Sequence, residues 1–156
     1  MKFVVDCMLG KLAKWLKILG FDTLYDSTAD DDQLLAEARR DNRALLSRDT
    51  ALLARAGNLP KLAVRSQSWP DQVEQVLDAF NIWAETAPYT RCLDCNVKLK
   101  PMSRDAARNL VAPYVLERTE EFALCPSCGR VFWPGTHYQA MEARLEKLLR
   151  RGERTR

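Results

Sequence analysis

Strand-like and helix-like segments alternate along the first half of the chain, and this alternation constrains the fold more than any other feature. Short apolar runs that favour strands occupy residues 3–5, 21–25, 44–47 and 61–65. Apolar residues recur every three or four positions, as in amphipathic helices, over residues 8–19, 29–40, 52–57 and 68–80. Strands that alternate with helices predict an α/β fold with a parallel sheet and right-handed crossovers. The order of the strands cannot be read from this pattern.

The second half of the chain differs chemically because it carries two Cys-x-x-Cys pairs. Four thiolates in two such turns can converge on one tetrahedral zinc ion, and each turn needs a residue that tolerates a positive φ after its second cysteine. Asn96 and Gly129 occupy those two positions. The predicted zinc ligands are Cys92, Cys95, Cys125 and Cys128. Because sulfur fills every position, this zinc is expected to be structural and not catalytic.

The gap between the two pairs predicts an insertion in the zinc site. The 29 residues between Cys95 and Cys125 exceed the usual spacing, and residues 103–109 are predicted to form a short helix there. Two disulfides are the alternative, but they conflict with a reducing cytosol. We expect a cytoplasmic location because the sequence shows no signal peptide and no membrane-spanning run. The remaining cysteine, Cys7, is predicted to be a buried thiol.

Composition predicts two domains. Residues 84–90 lack periodicity and are the predicted linker. They join an α/β domain, residues 1–83, to a zinc ribbon with a C-terminal helix, residues 91–150. Residues 151–156 are predicted to be a basic, frayed tail. The C-terminal helix is expected to be capped by Thr136. Residues 1–83 carry 11 Lys and Arg against 12 Asp and Glu, whereas the remainder carries 13 against 9. The basic excess of the second half fits a nucleic-acid partner but is too small to establish one.

Aspartates collect at one predicted edge of the sheet. Asp6 follows the first strand, Asp49 follows the third, and Asp30–Asp32 begin the second helix. This edge is where open α/β sheets bind their ligands. Helix capping is the alternative, because helices begin at the same edge and Asp is a favoured cap. If caps were drawn evenly from Asp, Asn, Ser and Thr, three Asp would occur roughly once in 60, which favours a ligand site over capping alone.

Such a cluster of carboxylates is typical of metal-dependent phosphoryl transfer. Crowded carboxylates repel one another unless a hard divalent cation such as Mg²⁺ or Mn²⁺ relieves the repulsion. The ion can activate a water for attack on a phosphodiester and neutralise charge on the leaving oxygen. The sequence shows no other catalytic pattern, since its single histidine, His137, lies in the other half and it has neither a G-x-G-x-x-G motif nor a P-loop.

In combination, these motifs resemble the PIN-like ribonuclease family that carries a C-terminal zinc ribbon, a unit also known as the C-terminal domain of an animal exonuclease of the mutator class. The likeness extends from about residue 2 to residue 141. It rests on Val5–Leu16, Asp30–Asp32, Leu46–Asp49, the two Cys-x-x-Cys turns and Gly135–Tyr138. The resemblance implies a PIN-type α/β/α sandwich that cleaves RNA with bound Mg²⁺ or Mn²⁺.

The resemblance also implies which acids act at the site. Asp6 and Asp49 match the first and last acids of the family's motif, and Asp31 matches the middle one. Because three aspartates are adjacent, a second assignment stays open. In it, Asp30 caps the helix and either Asp31 or Asp32 faces the metal. A fourth acid is common in the family, and Asp71 is the candidate here.

Basic residues beside these acids are candidates for substrate binding. Lys11 and Arg48 are predicted phosphate contacts, although they could equally be surface charge. His137 belongs to a family-like motif, but as the first residue of a capped helix its role is more often structural.

Two functions are consistent with these features. The first is a metal-dependent ribonuclease whose α/β half cuts and whose ribbon helps to hold single-stranded RNA. The second is a non-catalytic RNA-binding or adaptor protein in which the ribbon binds and the acids cap helices. By analogy with PIN-like proteins, a homodimer is also expected. The sequence does not distinguish endonuclease from exonuclease action or define the natural RNA.

Overall fold

The computed structural model describes residues 1–154, with the side chains of residues 136, 137, 153 and 154 outside the description. The chain divides into two compact units. The first unit is Met1–Asn96, and the second begins at Val97. Residues 84–90 therefore fall within the first unit, and the domain limits inferred from the sequence stay a prediction.

A parallel four-stranded sheet forms the centre of the first unit. Its strands are β1 (Lys2–Val5), β2 (Asp22–Tyr25), β3 (Ala44–Ser47) and β4 (Lys61–Ala63). Their order is β2-β1-β3-β4, and each neighbouring pair is parallel. Val4 of β1 lies opposite Leu24 in β2 and Leu45 in β3, so β1 is an interior strand. The parallel sheet predicted from the sequence is confirmed.

The helices of the first unit follow the predicted pattern with one change near the start. They are α1 (Gly10–Ile18), α2 (Asp31–Asp41), α3 (Thr50–Arg55) and α4 (Trp69–Ala79). A 3₁₀ turn, Cys7–Leu9, replaces the predicted beginning of α1. The Tyr25 hydroxyl donates to the carbonyl oxygen of Cys7 at 2.9 Å, and it lies where a side chain on Gly10 would be. This contact supports the turn that follows Asp6.

One face of the sheet is covered by α2 and α3. Val4 and Leu45 pack there in a single apolar cluster with Leu34 of α2 and Leu52 of α3. Successive strand residues point to opposite faces, so Phe3 and Val5 of β1 lie on the other side.

The opposite face is associated with α1 and α4. The ring of Phe3 meets the ring of Phe80, the residue after α4, edge-on with centroids 5.7 Å apart. Trp15 of α1 and Trp69 of α4 stack with their centroids 4.1 Å apart. The sheet is therefore flanked by helices, as the resemblance to a PIN-type fold implies.

Residues 84–90 bind back to the end of α1. Their first two residues belong to a 3₁₀ turn, Trp83–Glu85. The backbone N–H of Ala87 donates to Leu19 O and that of Tyr89 donates to Ile18 O, each at 2.8 Å. The last carbonyls of a helix have no partner within the helix, so this segment satisfies them. Gly20, with φ of 92°, permits the approach, because a Cβ there would overlap the Ala87 carbonyl oxygen.

The second unit contains an antiparallel three-stranded sheet and a long C-terminal helix. Its elements are β5 (Lys100–Met102), α5 (Arg104–Ala107), α6 (Pro113–Arg118), β6 (Phe122–Leu124), β7 (Val131–Phe132) and α7 (Thr136–Arg154). The strand order is β5-β6-β7. Ala107, Val115 and Phe122 form its small apolar core. No helix in the described part of the chain, not even α7, is apolar over enough length to span a bilayer.

Three details differ from the sequence-based expectations. Pro113 begins α6, which was not predicted because its few apolar residues give no extended helical period. Residues 151–154 continue α7, and only residues 155 and 156 of the predicted tail lie outside the description. Cys7 is exposed instead of buried, because it lies in the 3₁₀ turn at the edge of the sheet and not in the core.

Replacing Gly20 by alanine should destabilise the protein more than replacing Gly57 by alanine. Both residues have positive φ, 92° and 59°, so either change adds backbone strain of about 1–2 kcal/mol. Gly20→Ala adds the overlap with Ala87, whereas nothing lies within 4 Å of a Cβ at Gly57. Urea unfolding should show a loss of about 3 kcal/mol or more for Gly20→Ala. Equal losses would contradict the close approach of residues 84–90 to α1.

Candidate active site and metal centre

Asp6 lies at the carboxyl end of β1 and is nearly buried. Its backbone N–H donates to Leu46 O of β3 at 3.0 Å. The residue is 7% exposed, which is unusual for an aspartate. Although it precedes the 3₁₀ turn, its side chain makes no capping hydrogen bond. Helix capping therefore does not account for Asp6.

Ser47 connects Asp6 to Asp49. The buried Ser47 hydroxyl donates to Asp6 Oδ2 at 2.6 Å and accepts from the backbone N–H of Asp49 at 2.9 Å. A serine hydroxyl has one proton to donate, so this proton is committed to the Asp6 carboxylate. The neighbouring strands β1 and β3 thus present Asp6 and Asp49 at the same edge of the sheet.

Asp49 is exposed and caps α3. Its Oδ1 accepts from the backbone N–H of Ala51 at 2.7 Å and of Leu52 at 3.2 Å. The capping bonds orient the side chain at the beginning of the helix. In the described part of the chain, its other oxygen, Oδ2, makes no hydrogen bond. Asp49 is therefore a helix cap that retains an oxygen for a ligand.

The run of aspartates at α2 divides into one cap and two ion-pair partners. Asp30 caps the helix by accepting from the backbone N–H of Gln33 at 2.8 Å, while Gln33 returns a bond to the Asp30 backbone. Arg55 of α3 donates to Asp31 Oδ2 at 3.0 Å and also binds Asp32. Among the described residues, Asp6, Asp31 and Asp49 do not form a group of three ligand atoms close enough to share one ion.

Of the other predicted site residues that the structure describes, two are exposed and one is half-buried. Lys11 is exposed in the first turn of α1, and Asp71 is exposed in the first turn of α4. Arg48, which lies between Ser47 and Asp49 in the sequence, is half-buried, and its Nη1 donates to Gln67 Oε1 at 2.7 Å. The side chain of His137 lies outside the description, so its predicted role stays a prediction.

Cys7 adds a second polar neighbour to Asp6. The pKa of this exposed thiol is raised, first by its hydrogen bond with Asp6 and then by desolvation and the charge of that carboxylate. A raised pKa keeps the thiol protonated near neutral pH, and a protonated thiol is a poor nucleophile. Cys7 is thus a neighbour of the acidic site and not a reactive thiolate.

The four predicted zinc ligands come together. The sulfur atoms of Cys92, Cys95, Cys125 and Cys128 all lie within 4.8 Å of one another. A tetrahedral site with Zn–S bonds of about 2.3 Å places its sulfurs roughly 3.8 Å apart. The cluster can therefore hold a zinc ion with little movement.

Both cysteine turns have the expected backbone. Asn96 N donates to Cys92 O and Gly129 N to Cys125 O, each at 2.9 Å. The φ angles of Asn96 and Gly129 are 59° and 72°, as the sequence predicts for the residue after the second cysteine. In each turn, the backbone N–H of the second cysteine donates to the sulfur of the first, at 3.5 and 3.4 Å. Such bonds favour thiolates that are oriented for a metal.

The first cysteine turn also receives a cation from α1. Lys17 Nζ donates to Leu93 O at 2.9 Å. Burial lowers the pKa of Lys17, whereas the negative charges of Asp94, Cys92 and Cys95 act to raise it. The ammonium group therefore lies in the field of the first two thiolates.

Sequence reasoning missed Ser47, Arg55 and Lys17. Ser47 had a usable signal, because it is the one polar residue in the strand Ala44–Ser47 and immediately precedes the Arg48-Asp49 pair. Arg55 and Lys17 had none, since each acts on residues that are distant in the sequence.

Replacing Ser47 by alanine should destabilise the protein by about 1–3 kcal/mol, because a buried carboxylate loses its donor and the Asp49 N–H loses its acceptor. Ser47→Thr retains a hydroxyl and should lose less. Urea unfolding measures both, with the exposed Ser27→Ala as the control. A loss for Ser47→Ala no larger than that for Ser27→Ala would contradict the proposed link between Asp6 and Asp49.

Replacing Cys92 by serine should reduce the zinc bound per chain from about one ion to well below one, because a structural site needs all four thiolates. Cys7→Ser is the matched control, since Cys7 is not one of the clustered sulfurs. Inductively coupled plasma mass spectrometry on the purified protein measures the zinc. Equal zinc contents in the two variants would show that the cluster does not bind the metal.

Comparison with known proteins identifies the family to which this chain belongs. A search of curated proteins and a search of solved structures each gave no match. The model of one family, described as the Mut7-C RNAse domain, matches residues 1–145. That match covers nearly the whole chain, both the α/β unit, which is the parallel sheet β1–β4 with its helices α1–α4, and the cysteine pairs. The chain belongs to the Mut7-C RNAse domain family.

Proposed function

We propose that this protein is a ribonuclease that hydrolyses RNA phosphodiester bonds with Mg²⁺ or Mn²⁺ held by Asp6 and Asp49. One observation supports this above all: two acids follow neighbouring strands at one edge of the sheet and are joined through Ser47, and neither has a cationic partner in the described part of the chain. By contrast, Asp31 and Asp32 share one cationic partner, Arg55. A buried carboxylate without a cation is costly unless something else stabilises its charge.

The donor chemistry of Asp6 and Asp49 fits a hard divalent ion. Carboxylate oxygens are the ligands that Mg²⁺ prefers. When bound, such an ion activates a water and neutralises charge on the leaving oxygen. Ser47 holds the Asp6 carboxylate in one orientation, and the α3 cap holds Asp49. This fixed arrangement lowers the cost of gathering the two acids around a ligand.

Asp31 is the third acid of the proposal. Its Oδ2 is bound by Arg55, its side chain is half exposed, and among the described residues its Oδ1 makes no hydrogen bond. Asp32, the alternative, is also bound by Arg55 and is more exposed. If Asp31 contributes, Asp31→Asn should reduce cleavage more than Asp32→Asn does.

The proposed substrate is single-stranded RNA. The net charge of residues 84–156 is +4, from 13 Lys and Arg against 9 Asp and Glu. Tyr114 and Trp133 of the second unit are exposed, at 64% and 38%, and aromatic side chains of this kind stack on unpaired bases. Lys11 and Arg48 are proposed to contact phosphates near the acids. Dimer formation, expected by analogy, is part of the proposal.

Asp6→Asn and Asp49→Asn should each reduce cleavage of an end-labelled single-stranded RNA by about 100-fold or more. Loss of a metal ligand removes a few kcal/mol of charge stabilisation from the transition state. Every 1.4 kcal/mol or so that is lost slows the reaction about tenfold. Asparagine is also a good helix cap and can accept from Ser47, so both variants should fold. Rates are measured with Mg²⁺, with Mn²⁺ and with a chelator.

Asp30→Asn is the matched control. It makes the same chemical change at a helix cap on the same edge of the sheet, and Asp30 is engaged with Gln33. Its cleavage rate should match the wild type. Equal rates in all variants would contradict the assignment of Asp6 and Asp49.

The alternative function is RNA binding without catalysis. It is favoured by one observation: Arg55 binds Asp31 and Asp32, and among the described residues neither joins Asp6 and Asp49 in a group close enough to share one ion. In that case the wild-type protein should bind the labelled RNA in a filter-binding assay and leave it intact with either metal ion. The same samples thus distinguish the two functions.

A further inference from the structure

The first cysteine turn, residues 92–96, is hydrogen-bonded to the α/β unit through both side-chain and backbone atoms. Asn96 Nδ2 donates to Asp22 Oδ1 at 2.8 Å, and Asn96 Oδ1 accepts from the backbone N–H of Thr23 at 3.0 Å. Asp22 and Thr23 both belong to β2. Asn96 therefore pairs with the outer edge of the parallel sheet through both ends of its amide group.

Comparison of the two cysteine turns isolates what the Asn96 side chain adds. Asn96 and Gly129 occupy equivalent positions, both in the left-handed region and both donating to the carbonyl of the first cysteine. Glycine is the residue that adopts this conformation with least strain. Asparagine at residue 96 thus contributes its side-chain bonds to β2 and is not required by the turn itself.

The contact at β2 continues into the interior of the sheet. Asp22 Oδ1 also accepts from Arg43 Nη1 at 2.5 Å, and the same nitrogen lies 3.4 Å from Phe3 O in β1. Arg43 is 5% exposed, so its guanidinium needs these partners. The pKa of Asp22 is lowered, because hydrogen bonds from Arg43 and Asn96 outweigh the opposing effect of burial. Asn96 therefore belongs to a partly buried polar network that reaches the central strand.

Two cations hold the backbone of the same turn. Lys17 Nζ donates to Leu93 O, between Cys92 and Cys95, and Arg91 donates to Gly20 O at 2.8 Å and to Asn96 O at 2.6 Å. Four thiolates around Zn²⁺ carry a net charge of about −2, so a nearby ammonium group stabilises the loaded site. Lys17 is half-buried, whereas Lys14 on the same helix is exposed.

We propose that Lys17 and Asn96 are positioning residues of the zinc site, and that zinc binding at Cys92 and Cys95 thereby stabilises the α/β unit that carries Asp6 and Asp49. Lys17 supplies charge and fixes the peptide between the two cysteines. Asn96 fixes the end of the turn against β2. The proposal rests on zinc binding by the four cysteines and not on ribonuclease activity.

The first test is the rate at which the full-length, zinc-loaded protein gives up its metal to a chromogenic chelator. Loss of an outer-sphere partner of a metal site commonly weakens binding by about 10–100-fold. Lys17→Met and Asn96→Gly should therefore release zinc at least about tenfold faster than the wild type. Lys14→Met, the same change on the exposed side of α1, should release zinc at the wild-type rate.

The second test asks whether the metal stabilises the α/β unit. Unfolding is followed by tryptophan fluorescence, with and without zinc, and every chain, the wild type included, carries Trp133→Phe so that the signal comes from Trp15, Trp69 and Trp83 of the first unit. In the wild type, zinc removal should lower the midpoint of this transition. In Asn96→Gly the zinc-dependent difference should be smaller, because the link to β2 is missing while the turn keeps its backbone.

Several results would overturn the proposal. Equal zinc-release rates for Lys17→Met, Asn96→Gly and Lys14→Met would show that neither residue positions the site. A tryptophan transition that is unchanged by zinc removal in the wild type would show that the metal does not stabilise the α/β unit. Circular dichroism confirms that each variant is folded before the comparison. None of these measurements uses RNA, so they stand apart from the test of ribonuclease activity.

Discussion

The structure around the candidate site depends on the cost of burying the charge of Asp6. A carboxylate that leaves water needs hydrogen bonds or a cation, and Asp6 is 7% exposed at the end of an interior strand. Ser47 on the neighbouring strand supplies a hydrogen bond, but no positive charge. Such a group is held in place with part of its charge uncompensated, which is the condition under which a cation is bound most favourably.

Helix capping and ligand binding use the same residue type at the same edge, and the structure separates them. Asp30 caps α2, and both its carboxylate and its backbone N–H are hydrogen-bonded to Gln33. Asp49 caps α3 with one oxygen only. Asp6 caps nothing. The preference for Asp at this edge therefore has more than one physical cause, and a count of aspartates could not separate them.

Much of the fold could be predicted because its signals are local. The apolar runs of the strands and the spacing of Leu and Ala in the helices predicted the parallel sheet, and the residues after each cysteine pair predicted the turns. The strand order, the bridge through Ser47 and the pairing of Arg55 with Asp31 depend on contacts between distant residues, which leave no periodic trace. Only pattern and position within a motif could have suggested Ser47, since a lone hydroxyl ended an otherwise apolar strand.

The bonds between residues 84–90 and α1 bear on how the α/β unit can be isolated. Ile18 O and Leu19 O take their donors from Tyr89 and Ala87, so a fragment that stops after α4 would leave both carbonyls to water. Such a fragment would also lack Asn96 and its bonds to β2. A fragment that keeps these hydrogen bonds must therefore extend at least to Asn96. For the same reason, a segment with the composition of a flexible tether should resist limited proteolysis in the intact protein.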